Sequence, residues 1–302
     1  MAMEMGTPKT AVAPAVNPFD AIAARMEMLA APMSENDGIR SFNDLYLAVT
    51  RAVGIEFAND RFEDPAFFSR LAPIFSNLYF EAVEAATAKR AVPRVWAPLF
   101  ERRFEPGIAP LQFAIAGMNA HINHDLAVAL VAVTKELGYD LDLDSAHHRD
   151  HLRVNITLAR VMAEVRERFD SRIVPSVEQA LCRLDPIRSV ERARDHAWTQ
   201  AQFLVALDDE PFIVEQYLLA LAWTVGFASR VLLMRTKYPR RHATHGPRSR
   251  LAKLVASSRS RFVARPDARC VVREKRQPAF GASHNARCDL ATDHRGCCGA
   301  KY

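Results

Sequence analysis

Cysteine is almost missing from the first 269 residues of this 302-residue chain, where Cys182 stands alone. That excludes a disulfide framework for the body and favours a reducing compartment, so a cytoplasmic location is expected. Glycine is sparse, and no stretch alternates apolar and polar residues with the period of two that marks a half-buried strand. No repeat unit recurs, which excludes solenoids and propellers. The N-terminus lacks an apolar segment of signal-peptide type, and residues 1–16 are expected to be a disordered leader. Long apolar runs are missing too. The nearest to a membrane span, Tyr217 to Met234, is uninterrupted only as far as Ser229, over 13 residues, against the roughly 20 a bilayer needs. A buried helix is expected there and no transmembrane span.

Acidic residues are scarce at the C-terminal end. Residues 235–302 hold 17 Lys and Arg against 4 Asp and Glu, whereas residues 1–234 hold 23 against 31, so a +13 tail follows a −8 body. The basic isoelectric point is therefore a property of the tail. A mildly acidic body argues against nucleic acid as its partner. In the tail Arg, Ser, Ala, Pro and His mix without periodicity, along with Cys270, Cys288, Cys297 and Cys298. A disordered basic segment is expected over 235–302, or else the product of a frame shift near residue 238, because a GC-rich gene read out of frame yields such a composition.

Between leader and tail, residues 17–234 carry helical punctuation throughout. Asn17-Pro18 opens a helix to about Ala31, and Ser41 with Asp44 opens another to about Phe57. Pro65 starts a helix with an aromatic face through Phe67, Phe68, Phe75 and Tyr79, with Pro73 a candidate kink. Pro93 begins a short helix carrying Trp96. A long helix over 109–137 ends at Gly138, Asp144 caps a helix from 145, Ser189 caps one to Leu207, and Pro211 opens the last. The expectation is a single all-α domain, a multi-helix bundle of seven or eight helices, with Trp96, Trp198 and Trp223 in its core. His147, His148 and His151 read as a solvated helix start.

The helix over 109–137 is the organising element. Leu111, Ile115, Met118, Ile122, Leu126, Ala129 and Val133 form one apolar stripe at 100° per residue, and from 126 to 133 the other faces are apolar as well. A helix apolar on every side is surrounded by its own protein. Yet Asn119, His121, Asn123, His124 and Asp125 sit inside it, and buried polar groups need partners. Gly117, one turn earlier, leaves a gap where a side chain would stand.

Three chemistries fit that cluster. His121, His124 and Asp125 offer imidazole and carboxylate ligands for a divalent metal that would activate water or polarise an oxygen, although no His-Glu-x-x-His motif is present. Without metal, Asp125 would orient the His121 ring for acid/base work or ligand capture while Asn119 and Asn123 hold substrate oxygens. Alternatively the group only fixes the register of the bundle. The sequence slightly favours a metal-assisted, hydrolase-like enzyme acting on a small or lipid-like molecule, with Asn119, His121, Asn123 and Asp125 as the catalytic set.

The stretch Gly117-Met118-Asn119-Ala120-His121-Ile122-Asn123-His124-Asp125-Leu126 resembles the hallmark of an all-helical bacterial family of unknown function, found mostly in actinobacteria. The aromatic helix before it, Pro93 to Phe100, Asp150 with Asn155, and Ala197-Trp198 resemble that family's pattern too. The resemblance covers about 40–234 and leaves the tail outside. It implies a helical fold and a site on the central helix, and it implies no substrate.

Overall fold

A computed structural model describes residues 17–170 and 186–235, with side chains described except over 165–170 and 186–189. The expectations for the leader, for 171–185 and for the tail beyond 235 lie outside the described residues. Helix α1 spans Pro18–Ala30, α2 Gly38–Ala58, α3 Pro65–Thr87, α4 Ala97–Arg102, α5 Pro110–Ala120, α6 Leu126–Leu137, α7 Ala146–Asp170, α8 Pro186–Ala206 and α9 Pro211–Leu232. A π-helical turn, His121–Asp125, joins α5 to α6 without a break. Among the described residues there is no strand, and the fold is the all-α bundle that the pattern predicts.

The starts of the helices are set by tertiary contacts as much as by local signals. Asn17 caps α1 through Phe19 N at 3.1 Å and also donates to Gly54 O at 3.1 Å, pinning α1 to α2. At α2 the cap is Asp37, whose carboxylate accepts from Ile39 N at 3.0 Å and pairs with Arg103. The Ser41/Asp44 signal lies inside the helix, because Gly38 N is already held by Arg103 O at 2.7 Å. Asp64 caps α3, and Asp150, from α7, accepts from Glu63 N and Asp64 N at 2.9 and 2.7 Å, so a buried carboxylate secures that helix start from across the bundle. Pro73 sits within an unbroken α3. Ser145 rather than Asp144 caps α7, through His148 N at 3.1 Å, and α8 begins three residues before Ser189.

The central position of the α5–α6 helix is as the sequence demands: no residue from 111 to 134 is exposed. Trp96 and Trp198 are buried. Two expectations are overturned. Helix α9 buries only Val225, Gly226 and Ser229, and Phe212, Trp223 and Phe227 stand out at 71%, 61% and 67% exposure. The face that packs is the one with the smallest side chains, since an added Cβ on Gly226 would lie 3.2 Å from Arg94 O. Trp223 is therefore not core; the Arg94 guanidinium lies 5.0 Å over its ring. Among the described residues α9 is also the one helix whose length and composition would allow it to cross a membrane. The second correction concerns α7: His147 and His151 are buried rather than solvated. His147 packs on Phe67 and bonds to Asp140 O at 2.7 Å, and His151 meets Arg194 of α8.

Candidate functional site

The polar cluster coincides with the π-turn, in which Leu126 N bonds to His121 O five residues back. An extra residue wound into a helix shifts the phase of everything after it, and such turns occur frequently at functional sites. Uniform winding at 100° per residue, as the sequence suggested, does not hold through 121–125.

Asp125 is the hub. Its Oδ2 accepts from Trp96 Nε1 at 2.9 Å and lies 3.2 Å from His121 Nδ1, while its Oδ1 lies 2.8 Å from His124 Nδ1. Burial pushes the Asp125 carboxyl up, and the hydrogen bonds from the two histidines more than reverse this, holding it below the usual carboxylate range. Ionised Asp125 can only accept, so the proton of neutral His121 sits on Nδ1 and its lone pair on Nε2. Burial keeps His121 neutral by drawing its pKa below the ordinary value, against the pull of Asp125.

The imidazole is boxed by aromatic rings. Phe75 stacks on it with centroids 3.6 Å apart, Tyr46 stands edge-on at 4.5 Å, and Phe42 and Trp96 follow at 5.9 and 6.0 Å. Burial and the charge of Asp125 push the Tyr46 phenol up, so it stays protonated. His121 Nε2 is buried and has no hydrogen-bond partner among the described residues. It belongs to the wall of a cavity of about 100 Å³ whose lining is otherwise almost wholly apolar. The walls come from α1, α2, α3, the central helix, α7 and α8, and the half-buried Tyr46, Val49, Ala72 and Phe75 stand between α2 and α3. A cavity comparable with those that hold benzene takes a compact apolar group.

The other members of the cluster go elsewhere. Asn119 Nδ2 donates to Val225 O and Ser229 Oγ, both at 3.0 Å, and Asn123 Nδ2 donates to Asn119 Oδ1 at 3.1 Å. These amides fasten α9 to the central helix. The gap at Gly117 is filled: an added Cβ there would meet the Phe42 ring at 2.4 Å. His124, partly exposed, braces Asp125 from the side away from His121.

His121, His124 and Asp125 do not fit a divalent metal. Both ring Nδ1 atoms are directed at the carboxylate oxygens that would have to serve as ligands. Among the described residues no group of three or more His, Cys, Asp or Glu side chains is arranged to hold a metal ion. The physical reason is pairing: the Nδ1 atoms of both imidazoles and the two oxygens of Asp125 are spent on one another and face no common point. Sequence reasoning missed Tyr46, Phe75 and Arg194 as cavity residues, since nothing local marks an aromatic residue or a lone arginine as facing a cavity.

A family model described as a family of unknown function, DUF5995, matches residues 19–235. The chain belongs to this family. The DUF5995 match takes in the π-turn, its aromatic box and every helix that lines the cavity, and it ends where the basic tail begins. No curated protein and no solved structure matches the chain.

Proposed function

We propose that this DUF5995 protein captures a small, largely apolar molecule in the cavity between α1, α2, α3 and the central helix, with His121 Nε2 accepting a hydrogen bond from it. One observation carries this: a buried nitrogen lone pair with no partner among the described residues, in the wall of a largely apolar cavity. Leaving an acceptor unpaired costs about 1–3 kcal/mol, and a ligand hydroxyl reaching Nε2 removes that cost. Asp125 fixes the tautomer and Trp96 fixes Asp125, so the acceptor is aimed before the ligand arrives. The same arrangement makes His121 a general base toward a ligand with a labile proton, the carboxylate stabilising the imidazolium that forms. The near-absence of cysteine from the body, with Cys182 alone, supports a cytoplasmic setting.

The test is a thermal-shift series with 1-hexanol and hexane. 1-Hexanol raises Tm, hexane raises it less, and His121→Leu, which keeps an apolar side chain in the box, removes the difference between them. If neither compound shifts Tm, or if His121→Leu leaves the difference intact, the proposal fails.

A further inference from the structure

Arg194 belongs to the wall of the same cavity. It is buried, at 6% exposure. Its Nε donates to Asn155 Oδ1 at 2.6 Å, and its Nη2 donates to His151 O at 2.9 Å and lies 3.2 Å from His151 Nδ1. These partners are neutral: burial, reinforced by the Arg194 charge, drives the His151 pKa well below its ordinary value. Among the described residues no carboxylate lies within ion-pair distance of Arg194; the nearest acid in sequence, Asp195, is exposed. No hydrogen bond is formed by Nη1 within the described residues. Burial pulls the guanidinium down to about 10, which still leaves it charged at neutral pH.

A buried cation hydrogen-bonded only to neutral groups is expensive, because its desolvation is offset only in part by the charge of the exposed Asp195 beside it in sequence. Chains tolerate such a group where an anion completes it, and the planar guanidinium suits a carboxylate. Apart from His121, Tyr46 and Thr50, the rest of the lining, contributed by residues such as Val154, Leu158, Leu71 and Ile122, is apolar and would exclude a free, fully hydrated anion. We propose that the ligand is an apolar hydroxy-monocarboxylate whose carboxylate pairs with Arg194 and whose hydroxyl donates to His121 Nε2 while its hydrocarbon body fills the cavity. This rests on the apolar capture site proposed above and adds the ligand's charge.

Isothermal titration of the full chain with hexanoate, 1-hexanol and acetate tests it. Hexanoate binds about tenfold or more tightly than 1-hexanol, as expected for one charge-assisted hydrogen-bonded pair, and acetate binds far more weakly than hexanoate. Arg194→Met loses the preference for hexanoate yet keeps 1-hexanol binding; Arg194→Lys retains part of the preference. Hexanoate binding no tighter than 1-hexanol overturns the carboxylate assignment and leaves the apolar site standing. Acetate binding as tightly as hexanoate also overturns it, by showing a bare anion site. Binding of none of the three removes both proposals. Should Arg194→Met fail to fold, the comparison of the three compounds on the unaltered protein decides alone.

Discussion

Asp125→Ala withdraws one acceptor from three donors at once, and the cost follows from where each donor stands. Trp96 and His121 are buried at 1% and 3% exposure, so Trp96 Nε1 and His121 Nδ1 are both left unpaired without access to solvent. At about 1–3 kcal/mol for each buried orphan, the loss is about 2–6 kcal/mol. His124 is partly exposed, turns to water, and adds little. Against a total stability of about 5–15 kcal/mol for an ordinary domain, the variant is gravely weakened. Asp125→Asn behaves differently. Its amide oxygen in the place of Oδ2 still accepts from Trp96 and His121, and its NH2 in the place of Oδ1 meets His124 Nδ1, which takes the other tautomer. The cost falls to about 1–2 kcal/mol, the charge-assisted part of the bonds. Urea denaturation followed by tryptophan fluorescence measures both. An Asp125→Ala loss below about 1 kcal/mol, or an Asp125→Asn loss equal to it, would refute the hub arrangement, since the carboxylate would then have no three donors to satisfy.

The remaining expectations follow from the same geometry. His121 and His151 have folded pKa values held below the ordinary one by burial, so below about pH 6.5 the unfolded chain binds protons that the folded chain refuses. Stability should fall as pH drops from 7 to 5, by up to about 1.4 kcal/mol per pH unit for each such histidine; a flat stability profile by urea titration over that range would contradict their burial. Asp125, with its folded pKa depressed, gives stability that is complete above its unfolded value of about 3.9 and lost at still lower pH. Gly117→Ala places a Cβ 2.4 Å from the Phe42 ring, costs about 1–3 kcal/mol by overpacking, and weakens 1-hexanol binding because Phe42 packs against His121; an unchanged Tm would show that Phe42 yields freely. Of the three tryptophans only Trp223 is exposed, so acrylamide quenching should be largely abolished in Trp223→Phe and retained in Trp198→Phe. Asn119→Ala removes both bonds to α9 and should cost about 1–2 kcal/mol, with hydrogen exchange accelerated in α9 first.

The sequence by itself determined the helical class and the identity of the central element. Apolar residues on every face of 126–133 leave only a buried position, and the five polar side chains before them must then find partners, whatever surrounds them. Proline and asparagine at 17–18 and proline at 65 and 211 marked helix starts because those signals act within a few residues. Tertiary structure decided the rest, wherever a choice depended on residues distant in the chain. Asp37 displaced Ser41 as the cap of α2 because Arg103 is folded onto it. Which side of the uniformly apolar α9 is buried was settled by the close approach that Gly226 permits. The amides of 119 and 123 and the imidazole of 121 look alike as polar residues on one helix, yet the first two face α9 and the third an apolar cavity. The π-turn that parts them, and the arginine from α8 that shares the cavity, arise from packing among helices whose neighbours no local pattern specifies.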